Sequence, residues 1–144
     1  MIRIMVPINY WAVLLSAVAA MGLGYLWYGP LFGKQWIKLM GWSKSEMEAK
    51  MKAGVGPQYL MQAAGALVMA YVLAHSIIFA GSYLHQSGVV AGIEGAIWSW
   101  LGFVAPVSLG SVLWDGKPWK LWGINTGYFL VTLVVMGIIL GWWA

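Results

Sequence analysis

Residues 58–83, QYLMQAAGALVMAYVLAHSIIFAGSY, contain no lysine, arginine, aspartate or glutamate. A helix of roughly 20 apolar residues crosses the hydrocarbon of a bilayer, and this stretch is longer than that. Three more runs read the same way, at about 6–28, 89–113 and 121–142. None alternates polar and apolar residues with period two, which argues against a barrel. The chain is therefore expected to be all-α. It reads as a single integral membrane domain, 1–144, folded as a four-transmembrane-helix bundle with up-down topology.

The edges of the runs carry their own signals. Gly29-Pro30 should stop the first helix, since proline lacks the donor and disfavours helix in the residue before it. Arg3, residues 10–15 and Ala17-Val18-Ala19 loosely imitate a signal peptide. The apolar run continues past Ala19 to Tyr28, so a retained first helix is expected.

Composition agrees. Only 8% of the chain is charged and 62% is hydrophobic, against about 25% charged in soluble domains. There is no cysteine, so disulfides and thiolate metal sites are out. The net charge of +4 reads as topology and not as nucleic-acid binding. Lys34, Lys38, Lys44, Lys50 and Lys52 fall in the first loop, Lys117 and Lys120 in the third, and only Arg3 on the other side. Lysine-rich loops mark the cytoplasmic face. Both termini and the turn near His85 are thus expected outside, in the cell inner (cytoplasmic) membrane. Rings collect at headgroup depth, which accounts for Tyr10, Trp11, Tyr83, Trp142 and Trp143 at one edge. Trp27, Tyr28, Trp36, Tyr59, Trp114, Trp119 and Trp122 suit the other, while Trp98 and Trp100 lie inside the third span.

The first loop contains Ser43-x-x-Glu46, a capping box that should open a short amphipathic helix. Met47 and Met51 share one face, with the lysines Lys44, Lys50 and Lys52 beside them. The helix either docks a protein partner or lies on anionic headgroups, contacted by the five loop lysines.

Small residues mark close helix contacts in lipid. Ala12, Ser16, Ala20 and Gly24 recur every four residues, and Gly95, Ser99, Gly102, Pro106 and Gly110 share a face. Gly123 with Gly127 and Gly137 with Gly141 form two further pairs. These faces serve the bundle, a homo-oligomer, or both. Four short spans leave little room for a water-filled path, so a homo-oligomer is expected. Pro106 frees the Gly102 carbonyl, either to line a polar path or to be satisfied by neighbours.

Two ionisable residues fall within the apolar runs, His75 and Glu94. Such groups are functional candidates by default. A hairpin turning near residues 84–85 puts them at equal depth, so they read as partners. Asn9, Ser16 and Ser82 could complete a polar pocket around them. Glu94 sits near the start of its run and could equally lie at headgroup level. Asn125, Tyr128 and Thr132 form a second polar set on one face of the fourth span, within reach of Trp27 or Tyr28. No hydrolase, zinc-protease, Walker or dinucleotide motif is present. His75, His85 and Glu94 lack regular ligand spacing, so neither a metal site nor a cofactor is expected.

Two stretches go together: Gly24-Tyr25-Leu26-Trp27-Tyr28-Gly29-Pro30-Leu31-Phe32-Gly33-Lys34-Gln35-Trp36, and residues 115–128 from Asp115-Gly116-Lys117-Pro118-Trp119 to Gly127-Tyr128. In this arrangement the chain resembles the bacterial membrane-protein family called domain of unknown function 1761. The resemblance implies a small four-helix integral membrane protein and no activity, and it assigns no role to His75 or Glu94. The residues themselves point to binding or passage of a small solute or proton through His75 and Glu94. The alternative is a non-catalytic scaffold or accessory protein, bound to an unidentified partner, whose polar residues specify packing. An enzyme has the least support, since no nucleophile–base constellation is visible.

Overall fold

The computed structural model describes residues 5–143; Arg3 lies outside them. Helix α1 (Tyr10–Leu26) starts at Asn9, whose side-chain oxygen accepts the N–H groups of Trp11 and Ala12 at 3.1 and 3.2 Å. This satisfies two donors that a helix start leaves orphaned. The first span does not end at Gly29-Pro30. It runs on through a π-helical turn, Trp27–Leu31, to make a continuous Tyr10–Leu31 helix. The Phe32 N–H reaches back to the Trp27 carbonyl at 2.8 Å. The wider turn absorbs the N–H that Pro30 lacks.

Two short helices follow, α2 (Gly33–Met40) and α3 (Lys44–Ala53). Ser43 caps α3 with both bonds of the capping box: its hydroxyl accepts from the Glu46 N–H at 3.2 Å, and the Glu46 carboxylate accepts from the Ser43 N–H at 2.7 Å. Helix α4 (Gly56–Leu84) turns at His85 into α5 (Gly88–Ser99). The third span continues through a second π turn, Trp100–Val104, and a 3-10 turn, Val107–Leu109, to α6 (Gly110–Leu113). The second π turn sits just ahead of Pro106, again widening the helix next to a missing donor. Helix α7 (Trp119–Trp142) is the fourth span. All four spans are long and apolar enough to cross a membrane.

Helix α7 is the hub. It packs above all on α5, then on α1 and more lightly on α4, while α1 also packs on α4; the α4–α5 contact is far smaller than that of α5 with α7. Little hydrophobic force joins helices in lipid, so close approach decides. A Cβ on Gly92 would run into the Gly137 carbonyl oxygen, and one on Gly141 into that of Gly88. The two backbones therefore touch. Ala12, Ser16 and Ala20 of α1 are buried in the bundle, with Ala66 and Ala70 of α4 and Met136 of α7. These small-residue faces are filled within one chain. The lower part of the third span differs: nothing stands within 4 Å of a Cβ on Gly102.

Candidate functional site

The two motif stretches meet at the end of the bundle that carries the lysines. Three consecutive residues of α7 are gripped there by rings from two other spans. The Trp27 indole N–H donates to the Ile124 carbonyl at 2.9 Å, the Tyr28 hydroxyl to the Asn125 side-chain oxygen at 2.8 Å, and the Trp100 indole to the Thr126 carbonyl at 2.8 Å. A carbonyl has two lone pairs, so the helix bond and the indole bond coexist. On the same helix the Tyr128 hydroxyl donates to the Ala20 carbonyl at 3.0 Å, and Trp122 donates to the Ser108 hydroxyl at 3.0 Å.

Glycines make room for these rings. A Cβ on Gly24 would stand 3.1 Å from the Tyr128 hydroxyl, and one on Gly127 3.3 Å from the Trp27 ring. Gly33 lets α2 fold back tightly, since a Cβ there would sit 2.7 Å from the Tyr28 carbonyl oxygen. That turn brings Trp36 and Met40 against the bundle.

The result is a cavity of about 580 Å³ between α1, α2, α4 and α7. Its walls include Met21, Trp36, Met40 and Phe129, with Tyr28, Tyr59, Gln62, Asn125 and Tyr128 as polar groups. The exposed Tyr25 and Tyr59 stand at its margin. No lysine, arginine, aspartate, glutamate or histidine lines it. Its size and its apolar walls with a few convergent polar groups are those of a small-molecule site.

From the cavity a run of rings reaches the surface. Tyr128 meets Tyr28 edge-on at 5.3 Å between centroids, Tyr28 meets Trp36 at 5.4 Å, and Trp36 meets Trp42 at 5.1 Å. The Lys50 ammonium of α3 then sits 4.5 Å from the centre of the Trp42 ring, a cation–π contact. The ladder docks α2 on the bundle, and the Lys50 contact ties α3 to its outer end. Lys34 and Lys38 on α2, and Lys44, Lys50 and Lys52 on α3, are all exposed.

Asn125 and Tyr128 thus line the cavity, and Thr132 is buried further along α7. Gln62, Met21 and Tyr59 were not among the site residues read from the sequence. Gln62 carried a signal, a carboxamide inside an apolar run.

His75 and Glu94 are not brought together. The His75 ring nitrogen Nδ1 lies 2.8 Å from the Tyr71 carbonyl of its own helix, and the ring packs between Tyr71 and Phe79 at 4.4 and 5.9 Å. Glu94 instead faces a groove between α4 and α5 lined by Ser76, Ala80, Gly81 and Leu84. At roughly 100° per residue, His75 is turned away from each of those four positions by ~100° or more. No hydrogen bond or ion pair joins the two among the described residues. Asn9 donates to the Trp143 carbonyl, tying the start of α1 to the end of α7. Ser16 is fully buried, and its hydroxyl has no partner among the described residues. No cluster of three metal-ligating side chains occurs among the described residues.

Four helices long and apolar enough to cross a membrane, three of them lining a neutral, ring-lined cavity, define a small polytopic helical membrane protein. Within that class the chain belongs to the DUF1761 family, described as "Protein of unknown function", whose model matches residues 11–141. Both motif stretches, 24–36 and 115–128, fall inside the match. No curated protein and no solved structure matches the chain.

Proposed function

We propose that this protein binds a small, uncharged, amphipathic solute in the cavity at the lysine-bearing end. The observation that carries the reading is the set of neutral polar side chains, with no charged one, that lines about 580 Å³ of otherwise apolar space. A charged occupant would lose its hydration there without a counter-charge, whereas a hydroxyl or amide group would find partners. Tyr28 occupies the Asn125 carboxamide oxygen, which leaves the Asn125 amide N–H groups to donate to an occupant. In this reading the protein sits in the inner membrane with the lysine loops in the cytoplasm, as the lysine bias of those loops favours. The cavity then draws its solute from the cytoplasmic leaflet or the cytosol. Conduction through a His75–Glu94 pair has no contact to support it.

Thermal-shift titration of the purified full chain tests this, with 4-hexylphenol and octanamide as neutral probes and 4-hexylbenzoate as the charged counterpart. The neutral probes should stabilise the chain and the carboxylate should not. Met21→Trp, which fills the cavity, and Asn125→Leu, which removes its donor, should each abolish the shift. Equal stabilisation by the carboxylate, or shifts that survive both variants, would remove the basis for the reading.

A further inference from the structure

The second pocket of interest is at the opposite end of the bundle. Helix α5 is drawn onto α7 by backbone contact at Gly92 and Gly137, and it meets α4 less extensively, with Gly95 close against Ile77. Beside that contact the two helices leave a groove of about 400 Å³, with Ala80, Gly81 and Leu84 on the α4 side and Glu94, Trp98 and Phe103 on the other. Glu94 and Trp98 are one helical turn apart on the same face. The π turn at Trp100–Val104 keeps Phe103 on that wall.

Glu94 lies six positions past Gly88, roughly 9 Å along the axis at 1.5 Å per residue. It is half-buried and has no hydrogen-bond or ion-pair partner among the described residues. The groove's two serines are already committed to their own helices. Ser76 donates to the Val72 carbonyl at 3.0 Å and Ser99 to the Gly95 carbonyl at 2.7 Å. All seven lysines are at the other end of the molecule. A carboxylate at membrane depth is costly without a counter-charge, and none of the described groups supplies one. Beside it stand two rings, Trp98 and Phe103, with 71% and 79% of their surfaces exposed. Ring faces attract ammonium-type cations, most strongly when water is excluded.

We propose that this groove binds a lipophilic organic cation, with its positive head on Glu94 and its apolar body along Trp98 and Phe103. The carboxylate supplies the charge, the rings supply cation–π attraction and apolar contact, and the gap between α4 and α5 supplies entry from the bilayer. The neutral cavity at the other end offers no such charge, so the two sites select different chemistry. This inference does not rest on the reading of that cavity.

Calorimetric titration of the full chain in maltoside micelles tests it, with tetraphenylphosphonium as the cation and triphenylphosphine oxide as its neutral counterpart. Tetraphenylphosphonium should bind saturably. Glu94→Gln should weaken it by about tenfold or more, the scale of a charge-assisted contact. Trp98→Leu should weaken it about threefold, the scale of an exposed cation–π contact. His75→Gln should leave it unchanged. Should Glu94→Gln fail to fold, Ala80→Phe, which fills the groove from α4 and leaves the carboxylate in place, should block binding. Equal affinity of the folded Glu94→Gln chain, or of Ala80→Phe, or of the neutral probe, would overturn the proposal. An ammonium headgroup carries the same chemistry as a free amine. Nanodiscs distinguish them: phosphatidylethanolamine should compete with tetraphenylphosphonium, relative to phosphatidylglycerol, only if a lipid head reaches Glu94.

Discussion

The Tyr28 hydroxyl and the Asn125 carboxamide make the one side-chain-to-side-chain bond that joins the two motif stretches directly. Inter-helix polar bonds in membranes average about 0.6 kcal/mol. Tyr28→Phe should therefore cost about that much in an unfolding titration, because the Trp27 and Trp100 bonds to α7 remain. It should also free the Asn125 oxygen to accept from an occupant, so preference among probes should move toward donors. Single residues also show where sequence reasoning stops. The equal depth of His75 and Glu94 follows from counting residues back from the turn. Their facing does not, because azimuth depends on which neighbours each helix packs against. His75 points its nitrogen at the carbonyl one turn back, a bond that counting along the chain does not anticipate.

Among the elements, the pairing of α5 with α7 is the most sharply determined. Gly137→Leu would drive a side chain into the Gly92 backbone. It should destabilise the bundle by about 3 kcal/mol or more, since backbone cannot yield as a side chain does. Gly123→Ala, with open space around its Cβ, should stay within about 0.5 kcal/mol. Unfolding titrations of the two variants in mixed micelles make the comparison. The four spans and the capping box at Ser43 and Glu46 were legible because hydropathy and local capping act over a few neighbouring residues. The π turns were not. Gly29-Pro30 reads as a stop, yet the turn widens and carries the span on to Leu31. The cavity was legible only in pieces: Asn125 and Tyr128 stood out, while Gln62, Met21 and Trp36 join them only because α2 folds back and α4 comes alongside.

For the molecule as a whole, the lysine asymmetry makes a direct prediction. The chain has no cysteine, so single cysteines report sidedness without background. Ser87→Cys, in the turn between α4 and α5, should react with a membrane-impermeant maleimide on intact cells. Ser45→Cys on α3 should react only after permeabilisation. The reverse pattern would invert the bundle and move the neutral cavity to the outer leaflet.

The position of α7 has a consequence for how the molecule is made. It is the last of the four spans in chain order, and it makes the most extensive contact in the bundle, that with α5, as well as packing on α1 and α4. When the first three have entered the bilayer, the Gly88–Gly92 face of α5 has nothing to close on, and the Ala12–Ala20 stripe of α1 has only α4. The neutral cavity, whose wall includes Asn125, Tyr128 and Phe129 of α7, does not exist at that stage. That site is therefore created in a single late event, when the fourth helix is seated.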